Sequence, residues 1–74
     1  MKTLSACKVG DRATVSSIEG DDDISVRLLE MGLVPGVELT VVGYAPLGDP
    51  IEIALIGYRL SLRKSEASRV QLAD

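Results

Sequence analysis

Between Val37 and Arg63 the sequence alternates apolar and polar residues three times over, and each run ends in residues that turn the chain. Val37, Leu39 and Val41 alternate with Glu38 and Thr40, in a run that reaches Tyr44. Ile51, Ile53 and Leu55 alternate with Glu52 and Ala54, and Tyr58, Leu60 and Leu62 with Arg59, Ser61 and Arg63. A period of two sends successive side chains to opposite faces of an extended chain, so each run reads as a strand with one buried face. Residues 45–50 carry two prolines and Gly48-Asp49, which makes a stiff loop, and Ile56-Gly57 is a tight connection or bulge. The chain has 74 residues, room for one domain over 1–74. A globule of this size hides only roughly 60% of the surface its unfolded chain exposes. Curling an antiparallel sheet onto itself is an economical way to bury several one-sided strands without long open edges.

The segments on either side fit that architecture. Lys2 to Cys7 could be a short edge segment, and Arg12 to Glu19 reads as a strand whose inner face is poorly resolved. Asp22 or Asp23 is a plausible N-cap for a helix over about 23–31, with carboxylates where the positive end of the helix favours them. Ile24, Leu28 and Met31 recur at helical spacing, and Leu29 broadens the stripe. Gly32 stands where a left-handed cap belongs, and Leu33 where a Schellman motif folds a side chain back onto the last turn. Pro35-Gly36 reads as a turn. A single helical turn is expected near 64–67, then a last short strand over Arg69–Leu72. The expected fold is all-β: a small barrel of about five antiparallel strands with one short inserted helix.

The residues that most chemistry needs are missing. The chain has no histidine and one cysteine, Cys7. It therefore lacks the usual neutral-pH acid–base group, a nucleophile–imidazole pair and a cysteine–histidine zinc set. Cys7 alone also fits a reducing compartment. Asp21-Asp22-Asp23 has the wrong spacing for a calcium loop and reads as capping and solvation. Glu38 and Glu52 alternate with core residues and should face water, and 32–36 has too few glycines and no lysine for a phosphate cradle. The expectation is a non-enzymatic domain with no cofactor and no metal site. The net charge of −3 disfavours nucleic acid as the main partner. With no apolar run long enough for a signal peptide or a membrane span, no membrane insertion is expected and the default location is the cytoplasm.

At the helix and its flanking turns the sequence resembles a known family. Residues 27–36 (Arg-Leu-Leu-Glu-Met-Gly-Leu-Val-Pro-Gly) are similar to the signature of the FeoA family, small cytosolic proteins of bacterial ferrous iron uptake. The agreement continues through 45–50 (Ala-Pro-Leu-Gly-Asp-Pro), 57–63 (Gly-Tyr-Arg-Leu-Ser-Leu-Arg) and Glu66-Ala67. Leu4, Gly10 and Ile18-Glu19-Gly20 resemble the family's opening. The resemblance implies an SH3-like barrel and a role beside the FeoB-type membrane transporter, whose cytosolic part carries a GTP-hydrolysing domain. It also implies that Leu28, Gly32, Leu33, Pro35 and Gly36 are scaffold.

The candidate partner-binding residues are Arg27 on the helix, Leu47 and Asp49 in the 45–50 loop, and Arg59 and Arg63 on the third clear strand. A stiff loop loses little entropy on binding, and arginines are favoured anchors at protein interfaces. Arg27 could instead pair with Asp23, and the basic residues could simply be solvated. An exposed strand edge or Leu47 could support weak self-association. Two other readings stand beside the adaptor: an SH3-like nucleic-acid module, and a stand-alone metal-responsive regulatory domain, which iron affinity near Asp21–Asp23 would favour.

Overall fold

The computed structural model describes residues 2–73, and the architecture is that of those residues. The elements in chain order are β1 (Lys2–Thr3), a 3-10 turn (Leu4–Ala6), β2 (Arg12–Ile18), α1 (Asp23–Glu30) and β3 (Glu38–Tyr44). β4 (Ile51–Leu55), β5 (Tyr58–Leu62), α2 (Lys64–Ala67) and β6 (Val70–Leu72) complete the chain. The expected edge segment at the start is a strand of two residues that turns at once into the 3-10 helix.

The sheet is not closed. Its strands run in the order β1-β6-β2-β3-β4-β5, every pairing is antiparallel, and no pairing joins the end strands β1 and β5. The expectation of an SH3-like barrel of about five strands is therefore corrected to an open sheet of six strands among the described residues. The physical reason lies in what covers the core. β1 is too short to carry pairing further, and the chain leaves β5 directly for α2. The helical segments then close the apolar face: Leu4 from the 3-10 turn, Leu28 from α1 and Ala67 from α2 are all fully buried. Strand-to-strand closure is not needed to exclude water.

Leu33 and Cys7 add to the core from connecting segments, and the rest comes from the strands. Leu39, Val41, Ile51, Ile53, Leu55 and Leu62 are buried together with Val15, Val70 and Leu72. Two irregularities mark where alternation fails. Between Val15 and Ser17 the β2–β6 register shifts, so that Val15 pairs Leu72 and Ser17 pairs Gln71. The extra residue in β2 lets both Val15 and Ile18 meet the core although they lie three apart. A second shift falls between Val41 and Gly43 in β3.

α1 begins at an Asp22 N-cap, whose Oδ1 accepts from the Ser25 amide at 3.2 Å. It ends in a full Schellman motif: the Leu33 amide donates to the Leu28 carbonyl (3.2 Å) and the Gly32 amide to the Leu29 carbonyl (3.0 Å). Gly32 has φ of +105°, as that cap requires. Pro35-Gly36 forms the turn, with the Val37 amide donating to the Val34 carbonyl at 3.1 Å. The turn is pinned to β2, since the Gly36 amide donates to the Val15 carbonyl at 2.8 Å. The buried face of α1 departs from the expected stripe. It is centred on Ser25 and Leu28, with Met31 partly buried, while Ile24 is 36% exposed. Ser25 can be buried because its hydroxyl donates to the Asp22 carbonyl at 2.8 Å.

Candidate functional site

α1, the loop over 45–50, β5 and α2 meet around a cleft of about 420 Å³. Arg27, Met31, Asp49, Ser61, Arg63 and Glu66 contribute to its walls. Three of the five candidate contact residues, Arg27, Asp49 and Arg63, are thus brought together from separate parts of the sequence. Arg59 lies two residues before Ser61, on the outward face of β5, where its Nη1 pairs with Glu52 Oε1 at 3.3 Å. Leu47 stands at the tip of the loop, 95% exposed, with no part in the cleft walls.

Each wall is held by a specific contact. The loop closes on itself through the Ala45 amide to the Pro50 carbonyl (3.0 Å) and the Gly48 amide to the Ala45 carbonyl (2.7 Å). It is tied to α2 by the Lys64 amide, which donates to Asp49 Oδ1 at 2.9 Å. Glu66 binds in two directions. Its Oε1 accepts from the Arg63 amide at 2.9 Å, the return half of a capping box, and its Oε2 pairs with Arg27 Nη2. The Arg63 amide, more than any other cause, holds the Glu66 carboxyl below its ordinary pKa, with burial acting against it and Arg27 adding to it.

The sequence leaves Arg27 either to pair with Asp23 or to reach a partner; in the structure it pairs with Glu66, 39 residues away. Glu66 and Ser61 were not among the candidates. A signal for Glu66 was present in the spacing Arg63-x-x-Glu66, which matches N-cap and N3 of a capping box. Nothing in the sequence marked Ser61 beyond its outward position on β5. Both carboxylates of the cleft are occupied by backbone amides, whereas Arg63 has no ion pair among the described residues. The cleft walls thus carry two guanidinium groups and two carboxylates beside the thioether of Met31.

The remaining polar features are structural. Cys7 is buried, and burial raises its thiol pKa, which leaves it a poor nucleophile. The Tyr44 hydroxyl donates to the Cys7 carbonyl. Asp22 pairs with Arg69 Nη1 at 2.5 Å while capping α1. Among the described residues no group of three or more His, Cys, Asp or Glu is placed to hold a metal ion. Among the described residues no helix is long and apolar enough to cross a membrane.

Residues 2–74 match the model of the FeoA domain. The chain is 39% identical over 69 residues to the Fe(2+) transport protein A/Fe(2+) transporter FeoB fusion protein of Porphyromonas gingivalis. That match covers 93% of this chain and 8% of the fusion protein. The solution structure of the FeoA protein from Chlorobium tepidum superposes with a TM-score of 0.87 at 42% identity, over 96% of this chain and 68% of that one. The FeoA-like protein from Clostridium acetobutylicum does so with a TM-score of 0.89 at 37% identity, over 96% of this chain and 83% of that one. The chain belongs to the FeoA family.

Proposed function

We propose that the 74 residues act as one cytoplasmic docking domain that binds the cytosolic GTPase part of a FeoB-type ferrous iron transporter. The observation that carries this reading is the Porphyromonas gingivalis relative, in which a FeoA-like segment and a FeoB transporter share one polypeptide. A covalent link raises the effective concentration of one module at the other, which is useful when the two must meet. Arg27, Asp49 and Arg63 around the cleft, Arg59 beside it and Leu47 at the loop tip form the proposed contact face. Its physical merits are a loop already closed by its own hydrogen bonds and an exposed apolar tip, so little ordering entropy is lost on contact.

The test is a calorimetric titration of this protein into the purified cytosolic GTPase part of the transporter from the same organism, with and without a GTP analogue. Saturable binding that Leu47→Asp weakens at least tenfold, with the variant still folded, supports the reading. Absence of heat in every nucleotide state up to high micromolar concentration sinks it.

A further inference from the structure

We propose that the outer edge of β5 takes up an extended acidic segment of its protein partner as an additional strand. This deepens the docking reading, on whose contact face it rests, by naming how that face would recognise its partner.

The backbone is the first argument. β5 ends the sheet and pairs on one side only, with β4, in unbroken register from Leu55–Tyr58 to Ile51–Leu62. The connection between the two strands has two residues, Ile56-Gly57, so Leu55 and Tyr58 form the hydrogen-bonded pair that closes the hairpin. Alternation along an antiparallel ladder then aims the amides and carbonyls of Tyr58, Leu60 and Leu62 at β4, and those of Arg59 and Ser61 outward. Arg63, next in the outward series, spends its amide on Glu66 Oε1 and its carbonyl on the Glu66 and Ala67 amides. Among the described residues no contact outside the ladder occupies the backbone of Arg59 or Ser61. Free edges are usually blunted by bulges, prolines or charged side chains; residues 58–62 have no bulge, proline or lysine, and Arg59 is their one charge.

The surroundings are the second argument. Ser61 is exposed and contributes to the walls of the cleft beside β5. At one end of this edge the Tyr58 hydroxyl is fastened to the Met31 carbonyl at 2.9 Å, and on the far wall Arg27 is fastened to Glu66. The charge pattern selects the occupant. Arg59 and Arg63 lie two residues on either side of Ser61; Arg59 shares its charge with the exposed Glu52 and Arg27 across the cleft with Glu66, while Arg63 has no ion pair among the described residues. Two copies of β5 paired edge to edge would set arginine near arginine, which is unfavourable. A strand with a carboxylate at every second position would instead meet Arg59 and Arg63 on one face and turn its other side chains toward Met31. Main-chain bonds then supply affinity, and alternate side chains supply specificity.

The probe is an acetylated, amidated peptide of alternating glutamate and valine, seven residues long, titrated into the isotope-labelled full chain and followed by NMR. Its lysine–valine counterpart serves as control. Saturable shifts and slowed hydrogen exchange at the Arg59 and Ser61 amides are expected, with the acidic peptide binding at least tenfold more tightly. Ser61→Pro removes an outward donor without touching the β4 ladder, and is expected to weaken binding tenfold or more, while Ser61→Ala changes it less than twofold. Should Ser61→Pro fail to fold, a peptide N-methylated at alternate residues makes the same cut from the other side. The proposal falls if no shift occurs at Arg59 and Ser61 up to millimolar peptide. It falls equally if the lysine peptide binds as well, or if Ser61→Pro and N-methylation leave affinity unchanged. The transporter fragment separates the two readings: a fragment that binds wild type and Ser61→Pro alike keeps the docking domain and discards strand addition. A fragment that binds neither discards the docking domain, and the peptide result then decides strand addition alone.

Discussion

The hydroxyl of Tyr58 donates to the carbonyl of Met31 at 2.9 Å, and in doing so occupies the place a side chain on Gly32 would need: an added Cβ would lie 2.0 Å from that oxygen. The same glycine has φ of +105°. One position thus meets two demands, a left-handed helix cap and a close approach from β5, and together they hold α1 to the end of the sheet.

Gly32→Ala should therefore destabilise the protein by about 2 kcal/mol, from left-handed strain plus the displaced hydrogen bond. Urea unfolding of the double cycle with Tyr58→Phe gives the sharper result. Tyr58→Phe should cost up to ~1 kcal/mol alone and almost nothing when Gly32→Ala has already displaced the hydroxyl. Additive effects would show that the two sites are not coupled.

Asp22 caps α1 and pairs with Arg69 at the foot of β6. Asp22→Ala is expected to cost ~1 kcal/mol through the lost cap. Asp22→Asn keeps a capping oxygen and should cost clearly less by thermal unfolding. Equal losses for the two variants would mean that charge, and not the cap, carries the effect.

Leu28 is fully buried at the centre of the helix–sheet contact. Leu28→Ala should cost about 3 kcal/mol, a large share of the stability a domain of this size can have. A loss below ~1 kcal/mol in chemical denaturation would mean that α1 is not held through this face.

Acid should weaken the fold through Glu66 and Asp22. Both carboxyls are held below their ordinary pKa, Glu66 chiefly by the Arg63 amide and Asp22 chiefly by Arg69. A carboxyl with a depressed folded-state pKa binds protons more readily in the unfolded chain. Its contribution is therefore fully present above the ordinary values of 4.5 and 3.8, and is lost as pH falls through the lower folded values. Denaturation midpoints measured between pH 7 and pH 2 should show a smaller acid-side decline in Glu66→Gln than in wild type. An identical decline would remove Glu66 from the account.

The candidate site was legible in its parts and not in its assembly. Arg27, Asp49 and Arg63 could be singled out as outward-facing residues on a helix, a stiff loop and a strand. Their convergence on one cleft rests on contacts across the fold, Lys64 to Asp49 and Arg27 to Glu66, which no local pattern encodes. An Arg27–Asp23 pair is the alternative that local spacing offers, and the fold supplies a long-range partner in its place.

What the chain's sequence determined alone is what short-range physics decides. An aspartate cap at 22 or 23, the Schellman end at Gly32-Leu33, the Pro35-Gly36 turn and a tight connection or bulge at Ile56-Gly57 each depend on residues within a turn of one another. Only the tertiary structure decided whether the sheet closes, which face of β2 is inward after its bulge, and that Ser25 rather than Ile24 faces the core. These are settled by competition for one small core. With Leu4, Leu28 and Ala67 from the helical segments buried in it, the core is covered without a pairing between the end strands, and β5 has an open edge among the described residues.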